Sequence, residues 1–201
     1  MKPRFAVLLC VLLLAPAARP ACAAASDPAV IQVQALSHSL LEAMKTGPAV
    51  STTGRYRQLE PVIEQVFALP LMTRLSVGPS WTSLQPQQQA ALVAAFSRYT
   101  IANYAHNFHD YNGQKFDVDQ TVVNRGKEKI VQSRLESPND TSVDFLYRMR
   151  EVNGVWKIVD VYFNGVSQLI LHRTEFDEAI ASGGPPALVA HLSKVSDGLM
   201  K

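Results

Sequence analysis

Between Lys115 and Phe163 the apolar positions of the chain recur every second residue, and the segments joining the runs are too short for anything but hairpins. Phe116, Val118 and Val122 alternate with polar neighbours. Ile130 to Glu136 follows Asn124-Arg125-Gly126; Val143, Phe145, Tyr147 and Met149 follow Pro138-Asn139-Asp140; and Val155 to Phe163 follows Asn153-Gly154. Parallel neighbours need crossovers of about a dozen residues, so these four strands can pair only as an antiparallel meander. Asn-Gly is the strongest two-residue hairpin signal, because both central residues of that turn take positive φ.

On either side of the strands the period is helical. Val30, Ile31, Val33, Leu36, Leu40, Leu41 and Met44 make residues 28 to 46 an amphipathic helix that stops at Gly47-Pro48. Gly47 to Gly54 reads as a loop. A second helix is expected from near Arg57, with Pro61 in its first turn, Ile63, Val66 and Phe67 on one face, and Pro70 interrupting it. Leu71 to Val77 forms a further short helix before Gly78-Pro79. Ser83-Leu84-Gln85-Pro86 opens a long helix whose apolar residues fall on two sides: Leu92, Phe96 and Tyr99 on one, Ile101, Tyr104 and Phe108 on the other. A helix apolar on two sides is expected to lie between two apolar layers. After Gly165 the helical period returns and closes at Gly183-Gly184-Pro185-Pro186, and a last helix carries Leu188, Val189, Leu192 and Val195. Helices, then strands, then helices gives an α+β fold: a four-stranded antiparallel sheet with helices packed on one face.

Composition limits the rest. With 201 residues, 47% of them hydrophobic and 18% charged, the chain has material for one core and is not a disordered polymer. Lys2 and Arg4 precede an apolar run from Phe5 to Ala15, and Ala21-Cys22-Ala23-Ala24-Ala25 supplies small residues for cleavage. Residues 1–25 therefore read as a signal peptide, and 26–201 as a single exported domain, expected in the periplasm. Removing the leader takes away three cations and no acid, so the net charge falls from +2 to −1. Nothing in that balance suits a nucleic-acid partner. Cys10 and Cys22 both lie in the leader, which leaves the mature chain without a disulfide or thiolate site. A lipid-modified Cys22 is disfavoured because Arg19-Pro20-Ala21 precedes it where Leu and small residues are usual.

Polar groups that suggest chemistry each have a plainer account. His106 and His109, with Asp110 adjacent, have a spacing that offers two ligands to one metal, but no third histidine or cysteine is near and a solvated helix end explains them equally. No metal and no cofactor are expected. His38, His172 and His191 read as surface or capping residues. Ser167 in Gly165-Val166-Ser167-Gln168-Leu169 lacks the second glycine of a nucleophile elbow and reads as a helix N-cap. Asp117, Asp119, Asp144 and Asp160 read as strand carboxylates on a solvated face. Phe145, Tyr147 and Met149 share a sheet face with Val143, and Phe116, Val118, Val161 and Phe163 add further apolar positions. That much apolar surface, with a two-sided helix beside it, is enough to enclose a pocket.

Trp156-Lys157-Ile158-Val159-Asp160-Val161, then Asn164-Gly165-Val166-Ser167, Arg173, Phe176 and the glycines before Leu188, together with Trp81-Thr82-Ser83-Leu84 and the Phe96 and Tyr104 helix, form an ordered pattern from about Leu36 to Leu192. In that order and spacing the chain resembles the MlaC, or toluene-tolerance, family of periplasmic lipid-binding proteins, most closely its HpnM branch associated with hopanoid biosynthesis. Asn164 departs from the acidic residue that many relatives carry there. The resemblance implies an apolar cavity between sheet and helices and no catalysis. It also implies a lipid, phospholipid or hopanoid, passed between an inner-membrane transporter complex and an outer-membrane acceptor. Val143, Phe145, Tyr147, Met149, Val161 and Phe163 are the expected ligand-binding walls, with Leu71, Met72, Phe96 and Tyr99 as lid or rear wall. Two other readings compete: a small exported isomerase-like enzyme pairing a strand carboxylate with Tyr147 or Tyr162, and an envelope module whose apolar sheet face binds a protein.

Overall fold

The computed structural model describes residues 26–138 and 141–201; residues 1–25, the expected leader with both cysteines, and Asn139 and Asp140 of the expected turn, lie outside the described residues. The first helix, α1 (Pro28–Thr46), begins where Asp27 accepts the Ala29 amide at 2.9 Å, and the same carboxylate holds Lys129 Nζ at 2.6 Å, which ties the helix start to the sheet. Its buried residues, among them Val30, Val33, Leu36, Leu40 and Met44, follow the spacing of one helix face. After a 3-10 turn at Gly47–Ala49, α2 (Thr52–Val66) starts five residues earlier than expected and makes a helix of residues 52–54, which the sequence suggests are loop. Three bonds from two side chains override the poor propensity of Thr-Thr-Gly. Ser51 Oγ accepts from the Gly54 amide at 3.2 Å, and the buried Arg55 guanidinium donates to the Val50 carbonyl at 2.5 Å and the Ala105 carbonyl at 2.9 Å. Pro61 therefore falls inside the helix and not in its first turn.

Phe67 leaves the helix extended and bridges to Ile158, and α3 (Leu69–Val77) starts with Pro70 in its first turn, where a missing N–H costs nothing. Pro70 opens this helix more than it interrupts the last. The long α4 (Pro86–Asn107) opens on a capping box between Gln85 and Gln88, with the Gln85 amide donating to Gln88 Oε1 at 2.9 Å. It packs between α2 and the final helix, and its two apolar sides divide accordingly. Phe96 meets Phe176 of that final helix, while Tyr104 meets Phe67.

The sheet is antiparallel throughout its named strands but has, among the described residues, six of them where four are expected: β1 (Lys115–Val118), β2 (Val123–Arg125), β3 (Glu128–Glu136), β4 (Val143–Val152), β5 (Val155–Phe163) and β6 (Val166–Ser167). The expected first strand is split because Asp119 Oδ1 accepts the Thr121 amide at 2.7 Å, a local turn that lifts the chain off β3 between β1 and β2. The extra strand β6 follows from a second hairpin. Asn164 and Gly165 have φ of 48° and 83°, like Asn153 and Gly154 at 52° and 79°, so Asn-Gly and its positive φ values close both β4–β5 and β5–β6.

Register sets which side chains meet the helices. Val131 pairs with Tyr147 and Tyr147 with Val161; Phe145 pairs with Phe163, and Met149 with Ile158. A bulge beside Arg148 and Met149 gives β5 an extra residue, so Ile158 and Val161, three apart, both join the core. Between them Arg134 pairs with Asp144 at 2.7 Å and Arg150 with Glu128 at 2.5 Å, a charged, solvent-facing pattern expected of a sheet covered on one side. The last helix, α5 (Gln168–Leu199), leaves helical geometry at Gly183 and Gly184, and Pro185 and Pro186 begin its second half, so the expected pair of helices is present as two arms of a kinked element. Among the described residues no helix is long and apolar enough to cross a membrane.

Candidate functional site

A pocket of about 600 Å³ opens between α3, α4, the start of α5 and the helix-facing side of the sheet, a size in the range of small-molecule sites. Its sheet wall is built by cross-strand pairing: Val143 and Leu135, then Phe145 and Phe163, with Val161 next on β5. Phe145 is its hub, with ring centroids of Phe163, Phe116 and Phe108 at 5.7, 6.3 and 6.5 Å. From Phe108 the aromatic surface continues through Tyr104 at 5.6 Å to Phe67 at a further 5.5 Å. A second cluster joins α4 to α5. Here His172 packs edge-on against Phe96 at 5.8 Å and Tyr99 at 5.4 Å, and lies over Phe176 at 5.6 Å. Met44 and Met72 complete the apolar lining with side chains that adapt to irregular shapes.

The expected wall residues divide into two groups. Val143, Phe145, Val161, Phe163, Met72, Phe96 and Tyr99 line the pocket, whereas Tyr147, Met149 and Leu71 do not. Tyr147 and Met149 share the right sheet face but lie deeper along it, 1% and 0% exposed, beneath the helices. The period-two rule selects a face and not a position along it. Residues outside the expected set also line the pocket: Met44, Phe67, Tyr104, Phe108, Leu135, Leu169 and His172. The second apolar side of α4 was the signal for Tyr104 and Phe108; His172 carried none, since a histidine between Leu171 and Arg173 looks like surface.

The electrostatics favour neutral groups. Burial raises the pKa of the Tyr104 phenol, and of Tyr147 together with the nearby Tyr104. Burial and then the Glu175 charge raise that of Tyr99. All three hydroxyls therefore stay protonated at neutral pH. Burial lowers the pKa of His172 and outweighs the upward pull of the Glu175 and Asp160 carboxylates, so its imidazole is neutral there. Polar lining comes from amides and hydroxyls such as Asn103, Asn107, Gln168 and Thr100, and among the described residues no lysine or arginine lines the pocket.

The groups that suggested chemistry are engaged elsewhere. Asp160 is not on a solvated face: 1% exposed, it accepts from Ser167 Oγ at 2.7 Å and the Leu169 amide at 3.1 Å, with Arg148 Nη2 at 3.9 Å. It anchors the start of α5, and Ser167 caps that helix by accepting the Ile170 amide at 3.2 Å. The carboxylate lining the pocket is Asp110, exposed and 3.0 Å from His109 Nε2; no strand carboxylate lines it among the described residues. His106 Nδ1 lies 3.1 Å from the Leu199 carbonyl and His109 Nδ1 2.7 Å from that of His106. Among the described residues no group of three or more His, Cys, Asp or Glu side chains is placed to hold a metal ion.

Residues 34–194 match the MlaC protein family. The chain belongs to the MlaC family. Part of it is also similar to the toluene tolerance protein ttg2D of Pseudomonas putida, 26% identical over 99 residues, which is 49% of this chain and 46% of that protein. The match thus spans just under half the length of that relative. In three dimensions the chain is similar to a phospholipid-binding protein from Ralstonia solanacearum, solved in complex with a phospholipid. The TM-score is 0.75 at 20% identity, covering 86% of this chain and 99% of the other. That likeness supports a fold of helices on an antiparallel sheet, the α+β class, for this chain.

Proposed function

We propose that this MlaC-family chain is a periplasmic carrier that holds an acyl or polycyclic lipid in its pocket and moves it between an inner-membrane transporter complex and an outer-membrane acceptor. The observation that carries the reading is the pocket itself, lined by two aromatic clusters and two methionines; among the described residues its carboxylate, Asp110, is paired with His109 and not with a tyrosine. The leader pattern of residues 1–25 supports export. The phospholipid on the Ralstonia solanacearum relative supports a phospholipid ligand, and the sequence resemblance to the hopanoid-associated branch supports a hopanoid.

The physics of exchange fits such a lining. Each methylene leaving water gains roughly 0.8 kcal/mol, so a lipid gains tens of kcal/mol in the pocket and nearly the same in a bilayer. Only a dry, apolar pocket keeps the difference small enough for partners to bias. Phe163, 44% exposed, lines the pocket and also reaches the surface, where its partner on β6, Val166, is exposed, and Ile170 and Leu171 are exposed in the first turn of α5. This apolar margin is the surface through which lipid would pass to a partner.

Native mass spectrometry of the protein purified from its own periplasm tests the reading. A carrier retains about one lipid per chain; a protein that flies empty after gentle purification is a binding module for another protein, and the carrier reading fails.

A further inference from the structure

The chain has 17 Asp and Glu residues, yet residues 65–109 and 161–174 hold none of them. The fold brings these two stretches together. The first supplies α3, the 3-10 turn Gly78–Ser83 and α4; the second supplies the end of β5, β6 and the start of α5, the helix against which α3 and α4 pack. Their lysines and arginines are Arg74, Arg98 and Arg173. Arg98 is paired with Asp197 at 2.6 Å, but Arg74 and Arg173 are exposed and make no ion pair with a described residue. The Arg173 guanidinium reaches from α5 to the end of α3, where Nη2 is 3.0 Å from the point a Cβ on Gly78 would occupy. The Gly78 amide donates to the Arg74 carbonyl, so both arginines belong to the last turn of α3 and its cap.

The start of α5 is also apolar at its surface. Phe163 and Val166 are paired across β5 and β6, so their side chains share a face, and they are 44% and 55% exposed. Ile170 and Leu171 in the first turn of α5 are 62% and 56% exposed. Phe163 lines the pocket as well, which joins this apolar group to the pocket wall. The flanking carboxylates are engaged: Asp144 with Arg134 at 2.7 Å, Asp110 with His109 at 3.0 Å, and Glu175 with His191 at 2.6 Å. Asp177 and Glu178 come about 10 Å farther along α5 than Ile170 and Leu171.

We propose that this side of the molecule docks on an anionic phospholipid bilayer, with Phe163, Val166, Ile170 and Leu171 entering the headgroup layer and Arg173 and Arg74 meeting lipid phosphates. Charge complementarity selects the occupant: apolar side chains beside unpaired arginines, on a side without free carboxylates, match an interface that is oily beneath a negative surface. A stable protein partner takes roughly 20–30 residues from each side, whereas four apolar side chains on a hairpin and one helical turn suffice for shallow insertion. The docking face goes beyond the carrier reading, and retained lipid tests that reading separately.

The test is flotation of residues 26–201 with vesicles of phosphatidylcholine alone and of equal parts phosphatidylcholine and phosphatidylglycerol, with native mass spectrometry of retained lipid alongside. The wild type should float with the mixed vesicles, less with the neutral ones, and less as salt is raised. Affinity for the mixed vesicles should fall about fivefold in Arg173→Gln, the share of one cation. It should fall about tenfold or more when Ile170→Asp and Leu171→Asp are combined. Val155→Asp, an exposed apolar position on the β4–β5 hairpin, should float like the wild type, and urea midpoints show that each variant is folded. Flotation that is absent, equal on the two vesicles, or unchanged in the Ile170→Asp, Leu171→Asp protein overturns bilayer docking. Lipid retained by a chain that does not float assigns the face to a protein partner and leaves the carrier standing; flotation without retained lipid leaves the docking face and removes the carrier.

Discussion

Replacing Asp160 with alanine removes the group that fastens the kinked α5 to the sheet, and the cost follows from its contacts. The Leu169 amide loses its acceptor at 3.1 Å in a buried setting, which costs about 1–3 kcal/mol. Ser167 Oγ loses the acceptor for its proton at 2.7 Å but keeps the Ile170 amide at 3.2 Å, so its share is nearer 1 kcal/mol. Arg148 is 25% exposed and 3.9 Å from Glu128 as well as from Asp160, so its charge is not stranded and adds little. The sum is about 2–4 kcal/mol, a fall of roughly 30- to 900-fold in the folded-to-unfolded ratio. Asp160→Asn keeps the shape and one acceptor oxygen, and is expected to lose about half as much. Urea denaturation of residues 26–201 and both variants measures this. Because Leu169 and His172 line the pocket from the arm that Asp160 anchors, lipid retention should fall with stability. An Asp160→Ala loss below about 1 kcal/mol would refute the anchoring role.

Three further outcomes follow from the same structure. Burial holds the pKa of His172 below its ordinary 6.5, so the unfolded chain takes up the proton first. Stability is then level above pH 6.5 and declines as pH falls from there through the lower folded value, and denaturation midpoints of His172→Phe should show a shallower decline than the wild type, parallel slopes being the refutation. Tyr147→Ala, in the core behind the pocket, should cost about 3–5 kcal/mol by urea denaturation, whereas Val143→Arg, half-exposed on the pocket wall, should leave the fold within about 1 kcal/mol and sharply lower lipid retention. Asn164→Asp should be nearly neutral in thermal melts, because Asp also tolerates the φ of 48°, whereas Asn164→Val, strained there and unable to accept the Asp144 amide at 3.3 Å, should lose about 1–2 kcal/mol.

Much of the architecture is legible in the sequence because it rests on period and turn chemistry. Alternation from Phe116 to Phe163, Asn153-Gly154 and the two-sided pattern of α4 lead to the antiparallel sheet and to a helix between two apolar layers. What is not legible depends on single side-chain bonds. The split of the first strand turns on Asp119 and Thr121, the early start of α2 on Ser51 and Arg55, and β6 on a left-handed Asn164. The site shows the same division. Alternation identifies Val143, Phe145, Val161 and Phe163 as one face, but the depth at which helices seal that face decides that Tyr147 and Met149 are core. His172 and Ser76 have no local pattern that marks them; they reach the pocket because α3 and α5 cross over it.

Photo-crosslinking tests the central claim most directly, using a phospholipid with a diazirine near the end of one acyl chain, loaded into the mature protein and followed by peptide mass spectrometry. The carrier account predicts adducts on residues lining the pocket, such as Phe96, Phe108, Phe145 and Val161, that disappear when unlabelled lipid competes. Adducts confined to exposed side chains such as Val123, Val155 and Ile31, with the pocket residues unlabelled, would contradict it.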